Sequence, residues 1–177
     1  MKKFLVNCWP VALLLFVLVA SCGKEKSLEE DTSQYFIKCK IGGVDKTFNV
    51  SAAGVKQDVG SGTTSYSVFG KAIKDPSDLE SFGFTIQLSI PLVAGTYKET
   101  DPTTDYYLAG IYNPNTTNTS AIYASRYDDY NPFQITFSNI TTTTLAGTFS
   151  GRLFLNTGDP NADSTDVTNG SFKVKLQ

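Results

Sequence analysis

The stretch 81–90, SFGFTIQLSI, alternates without a break: Phe82, Phe84, Ile86, Leu88 and Ile90 are apolar, and the residues between them are small or polar. Successive side chains of a β-strand point to opposite faces, so a period of two predicts a strand buried on one side only. The pattern recurs with Tyr35, Ile37, Cys39 and Ile41 in QYFIKCKI, with Phe133, Ile135 and Phe137 in FQITFSNI, and with Phe172, Val174 and Leu176 in GSFKVKLQ. Further strand-like runs fall near 47–50, 65–73, 95–98, 106–112, 121–127 and 145–155. Turn-forming clusters separate them, among them Gly42-Gly43, Gly60-Ser61-Gly62, Asp75-Pro76-Ser77-Asp78, Asn113-Pro114-Asn115 and Asp159-Pro160-Asn161. In these, Gly supplies positive φ, Pro fixes φ, and Asn or Asp bonds its own backbone. No segment keeps a helical period. About ten short strands at this spacing predict an all-β fold, an antiparallel β-sandwich, with a lipocalin-like closed β-barrel as the alternative.

The N-terminus carries a different signal. Lys2 and Lys3 precede an unbroken apolar run from Val11 to Ala20. A secretory signal has a charged start and an apolar core of roughly 7–15 residues, whereas a spanning helix needs about 20. Val19-Ala20-Ser21-Cys22 resembles the bacterial lipobox: an aliphatic residue, two small residues, then cysteine. That resemblance implies cleavage before Cys22, a diacylglyceryl thioether on its sulfur and acylation of the new N-terminus. Each buried CH₂ contributes about 0.8 kcal/mol and one chain binds only reversibly, so several chains make a stable anchor. The next residues, GKEKSLEEDTS, hold too little apolar surface to offset their ordering entropy. The expected organisation is therefore a signal peptide over 1–21, a flexible acidic tether over 22–33 and a single β domain over 34–177. Acidic residues after a lipidated cysteine also resemble the surface-export signal of Bacteroidetes lipoproteins, although Glu29-Glu30-Asp31 sits further from Cys22 than in the usual pattern. The expected place is the bacterial cell envelope, with the protein lipid-anchored in the outer membrane. The surface-exposed and periplasmic faces both stay open.

Composition then removes whole classes of chemistry. The 177 residues include no histidine, which excludes Ser-His-Asp and Cys-His catalysis and histidine metal sites. Of the three cysteines, Cys8 leaves with the signal and Cys22 is the lipidation site. Cys39 remains alone, so no intramolecular disulfide forms. Flanked at alternate positions by Ile37 and Ile41, it reads as a small buried hydrophobe. The net charge is −2 and no basic patch stands out, so nucleic acid is not an expected partner. No phosphate-cradling loop or dinucleotide fingerprint is present. Paired carboxylates, as in glycosidases, are the one enzymatic reading left. Asp128-Asp129 and Asp101 with Asp105 are candidates by residue type, although Asp is common beside turns for backbone reasons.

Two stretches suggest sites. In TGDPNADSTD, Asp159, Asn161 and Asp163 stand at alternate positions and Asp166 follows. Calcium takes several oxygen ligands, and this spacing resembles the start of an EF-hand loop, making Ca²⁺ the one candidate cofactor. Ser164 stands where that loop has its glycine, and Gly170 where it has its bidentate glutamate, so a plain acidic hairpin loop competes with it. Further back, Tyr106, Tyr107, Tyr112, Tyr123, Tyr127 and Tyr130 crowd a short region. Of these, Tyr107, Tyr112, Tyr123 and Tyr127 are candidate ligand-binding residues, since exposed rings serve glycans and protein partners alike. The competing reading is that tyrosines favour strands and sit half-buried at sheet rims.

The segments ITFSNITTTTLAGTFSGRLFLN and VTNGSFKVKLQ, with FIKCKIGGVDKTFNV near the start, resemble a group of Bacteroidetes lipoproteins carrying a domain of unknown function. Gly95-Thr96-Tyr97, Gly147-Thr148-Phe149-Ser150-Gly151 and Asn169-Gly170-Ser171-Phe172 match that group in order. The resemblance implies a β-sandwich-like domain and no particular activity. The resulting expectation is a membrane-anchored cell-envelope lipoprotein, a non-catalytic binding or structural module whose partner is a glycan or an envelope protein. A surface glycan-binding accessory protein is the alternative, and a carboxylate-type glycosidase comes third.

Overall fold

The computed structural model describes residues 34–72, 80–99, 105–114, 121–155, 159 and 161–177. The expectations for Cys22, the signal peptide and the tether lie outside the described residues, as does Asp101. The described residues form eleven strands: β1 (Phe36–Ile41), β2 (Val44–Phe48), β3 (Val50–Gly60), β4 (Thr63–Lys71), β5 (Ser81–Leu88), β6 (Gly95–Lys98), β7 (Tyr106–Asn113), β8 (Tyr123–Ala124), β9 (Gln134–Ile140), β10 (Thr144–Leu155) and β11 (Ser164–Leu176). They hydrogen-bond in the order β2-β1-β11-β3-β4-β5-β7-β8-β10-β9-β6, with β10 also pairing β11. Among the described residues no helix is long and apolar enough to cross a membrane.

The core shows how this sheet folds over. Phe82 of β5 stacks on Phe149 of β10 at 4.9 Å, Phe84 of β5 meets Phe172 of β11 edge-on at 5.0 Å, and Phe48 of β2 lies 5.8 Å from Phe82. None of these strand pairs is hydrogen-bonded, so the rings meet across a gap between two layers, as in a sandwich. One layer is β2-β1-β11-β10-β9-β6 and the other β3-β4-β5-β7. Two short contacts join them at the sides. One is the parallel pairing of β11 with β3, Lys175 with Ala53 and Leu176 with Gly54. The other is β8, which pairs with β7 and with β10. Each of these joins is only two residue pairs long, and among the described residues β2 and β6 each have one strand neighbour, so two layers form rather than the closed barrel of the alternative.

Several expectations need correction in detail. The domain is not purely antiparallel, because of the β11–β3 pairing. The run near 47–50 divides between β2 and β3, and β3 continues to Gly60. That strand escaped notice because SAAGVKQDVG has no clean alternation. The run 121–127 contributes only Tyr123–Ala124 as strand. Alternation in SFGFTIQLSI outlasts the strand: β5 stops at Leu88 and Ile90 is exposed, just ahead of Pro91. The last strand starts at Ser164, not near Phe172. It carries one more residue than β1 and β10 on either side, around Asn169-Gly170. Such a bulge interrupts the period of two, which is why the sequence pattern shows only its second half. Gly170 is there for space: a β-carbon would fall 2.3 Å from the Phe149 carbonyl oxygen.

Candidate functional site

The four candidate tyrosines do not form one surface. Tyr112 faces inward from β7 and is buried, with its ring edge-on to Phe48 at 6.4 Å. Its hydroxyl donates to Glu80 Oε1 at 2.6 Å, and Lys46 Nζ lies 2.7 Å from the same oxygen. Burial, and then Glu80, push the Tyr112 phenol well above its ordinary range. Tyr123 is half-buried beside it, ring to ring at 6.2 Å. Tyr127 is exposed on the segment after β8, and its hydroxyl donates to Asp129 Oδ1. Tyr107 alone stands on the outer face of β7, 60 % exposed. The reason is the strand period: residues 107 and 112 differ by an odd number, so they point to opposite faces. Tyr112 is thus a core residue and Tyr123 packs half-buried against the core, so the four candidates are divided between different surroundings. Tyr106, next to Tyr107, latches β6 instead, accepting from the Lys98 N–H at 3.0 Å and donating to its carbonyl at 2.9 Å.

The acidic loop is engaged in turn and strand chemistry. Asp159 Oδ1 accepts the Asn161 N–H at 2.8 Å, and the Asp163 carbonyl accepts the Leu155 N–H at 2.7 Å. Asp166 lies in β11, opposite Arg152. Its Oδ1 accepts from Arg152 Nε and from Asn131 Nδ2, both at 3.0 Å. Among the described residues no three acidic or cysteine side chains gather where they could hold a metal ion.

The paired carboxylates also divide. Asp128 Oδ2 faces Arg152 Nη1 at 3.5 Å, and its Oδ1 accepts the Tyr130 N–H at 3.0 Å. Asp129 is bonded to Tyr127, and Asp105 is exposed. Cys39 is buried, as its neighbours implied; burial first, and then Glu80, push its thiol up to about 12.

Glu99, just past β6, is a carboxyl that sequence reasoning passed over. Its N–H donates to the Phe133 carbonyl at 2.7 Å, and its Oε2 is buried with no hydrogen-bond partner among the described residues. Burial raises its pKa to about 7, against a hydrogen bond from Ser125 that pulls it down. The proton therefore binds the folded state more tightly than the unfolded chain. The stability it contributes is complete below the ordinary carboxylate range and lost as pH rises through about 7. Glu99→Gln should flatten this slope. We expect it to raise stability at pH 8 by about 1 kcal/mol, discounted for partial exposure, with the two proteins converging towards pH 4. Urea midpoints across that range check it, and parallel curves would overturn it.

A recess of about 310 Å³ lies on the outer face of β4, β5 and β7. Register explains it. Phe69, Gly83 and Ile111 lie side by side on adjacent strands, with all three on the face away from the core. Gly83 has no side chain, so the row has a gap in the middle. Phe69 is 43 % and Ile111 50 % exposed, walling the gap on either side. The next row is Ser67, Thr85 and Ala109, and Ser67 Oγ lies 2.9 Å from Thr85 Oγ1. The row beyond holds Gln87 and Tyr107. Ser81 and Lys71 complete the lining. A signal for this was present: Gly83 occupies an outward position of the most regular strand in the chain, and Phe69 an outward position of its neighbour. Neither position is informative until the pairing register is known.

Comparison of the chain with family models, with curated proteins and with solved structures gives no match in any of the three.

Proposed function

We propose that this chain is a lipid-anchored cell-envelope protein whose β domain works as a binding module, presenting the outer face of β4, β5 and β7. The observation that carries the binding reading is the recess over Gly83. Two large apolar side chains stand exposed at its walls, which costs solvation free energy in the free protein. Among the described residues of its lining Lys71 is the one ionisable side chain, which suits capture better than proton transfer. The anchor rests on Val19-Ala20-Ser21-Cys22 and on the polar stretch after it.

The anchor reading predicts that the protein partitions with membranes and that the Cys22→Ala chain is recovered in the soluble fraction. Added protease tests the face: loss of the protein from intact cells means outward, and survival until the envelope is opened means periplasmic. A Cys22→Ala chain that still sediments with membranes would overturn the anchor.

A further inference from the structure

We propose that the recess over Gly83 is the stacking site of a neutral oligosaccharide that runs along β7 from Ile111 towards Tyr107; the proposal rests on the binding-module reading above.

The argument starts from the shape of the row. Neighbouring strands lie about 4.8 Å apart, so Phe69 and Ile111, two strands apart with Gly83 between them, stand roughly 10 Å apart at their backbones. The gap between two such side chains is a slot open to solvent, with strand backbone as its floor. A pyranose ring has apolar C–H faces and a hydroxyl-bearing rim. Its face can lie against Phe69 and Ile111 while its rim meets whatever flanks them.

Among the described residues, what flanks them is polar and almost uncharged. Ser67 and Thr85 occupy the adjacent row, Ser81 the other side, and Gln87 the row beyond. Hydroxyls and amides both donate and accept, as sugar hydroxyls do. The Ser67–Thr85 hydrogen bond holds one such pair in place. Lys71 is the single charge among the described residues of the lining, which offers little to a phosphate or a carboxylate. A second apolar station follows on the same face. Tyr107, 60 % exposed, lies four residues from Ile111 on β7, roughly 13 Å along the strand. Apolar, hydroxyl, apolar, repeated along a straight strand, matches a ligand that repeats the same amphipathic unit.

The alternatives fit less well. An acyl chain needs an enclosed apolar tunnel, and this recess is open. A protein interface draws its energy from contiguous apolar patches with buried aromatic anchors, whereas here rows of hydroxyl and amide side chains separate the apolar ones.

The test uses the full-length lipidated protein in a sugar-free detergent, titrated by calorimetry at millimolar ligand. The ligands are neutral hexasaccharides of β-1,4-glucan, α-1,4-glucan, xylan, mannan and galactan. We expect at least one to bind, and Phe69→Ala and Ile111→Ser each to weaken it by about tenfold or more. Both residues are outward-facing, and thermal melts confirm that the variants stay folded. Tyr107→Ala should weaken the hexasaccharide more than the matching disaccharide, since only the longer ligand reaches it. Binding unchanged in all three variants overturns the site. Silence from every sugar overturns the proposal, and a photo-crosslinker placed at Phe69 in living cells then separates the two failures. Crosslinking to a specific envelope protein leaves the binding-module reading standing without the sugar. No crosslinked species means that both have failed.

Discussion

Phe149→Ala is expected to lower the unfolding free energy by about 3–5 kcal/mol, a large part of the 5–15 kcal/mol typical of a domain. Phe149 is where the two layers meet. Its ring stacks on Phe82 at 4.9 Å and lies 5.9 Å from Phe84, 6.4 Å from Phe133 and 6.4 Å from Phe172. Removing it deletes the ring's burial and leaves a cavity between strands that hydrogen bonds hold in place, so the layers can collapse only partly. Phe69→Ala is the control: the same atoms leave an outward-facing, partly exposed position, and the expected loss is about 1 kcal/mol or less. Urea denaturation of both variants measures the difference. Equal losses would mean that Phe149 does not bridge the layers.

Gly151→Ala is expected to cost about 3 kcal/mol or more, from two separate causes. Gly151 sits at φ +142°, a conformation that side chains rarely adopt, and a β-carbon there would fall 2.4 Å from the Phe133 α-carbon. The segment before β9 crosses β10 at this point, and Arg152 N–H donates to the Asn131 carbonyl at 3.0 Å. The nearest atoms are all backbone of Pro132 and Phe133, which leaves nothing flexible to yield. Gly43→Ala isolates the dihedral cause. Its φ is +82° but no atom lies within 4 Å of the added carbon, so about 1–2 kcal/mol is expected. A Gly151→Ala loss no greater than that of Gly43→Ala would show that the close crossing is absent. Circular dichroism melts of the two variants give the comparison.

A short motif can conceal such close approaches. GTFSG reads in the sequence as a strand with small residues at each end. Gly147 and Gly151 both clear room for the β9 side of the sheet: a β-carbon on Gly147 would fall 2.1 Å from the Thr136 carbonyl oxygen. Gly110 clears the same region from the opposite layer, where an added carbon would fall 2.7 Å from the Phe133 ring. Nothing in the neighbourhood of Gly110 in the chain points to residue 133. Cys39 is the contrary case, because its buried position follows from Ile37 and Ile41 alone.

Local order explains what could be read without coordinates. The all-β class, most strand positions, the inward set of β5 and the turns at Gly42-Gly43 and Ser61-Gly62 all depend on residues within a few positions of one another, and the strand period carries much of that information. Lack of histidine is likewise a property of composition. Pairing register is not local. The chain alone does not say that Phe69 lies beside Gly83 and Gly83 beside Ile111, because one residue of slip would turn each strand's outer face inward. The recess exists only through that register. The same holds for Asp166 meeting Arg152 and for the burial of Glu99. Each is a contact between segments far apart in sequence, settled when the two layers closed on a shared core of phenylalanine rings.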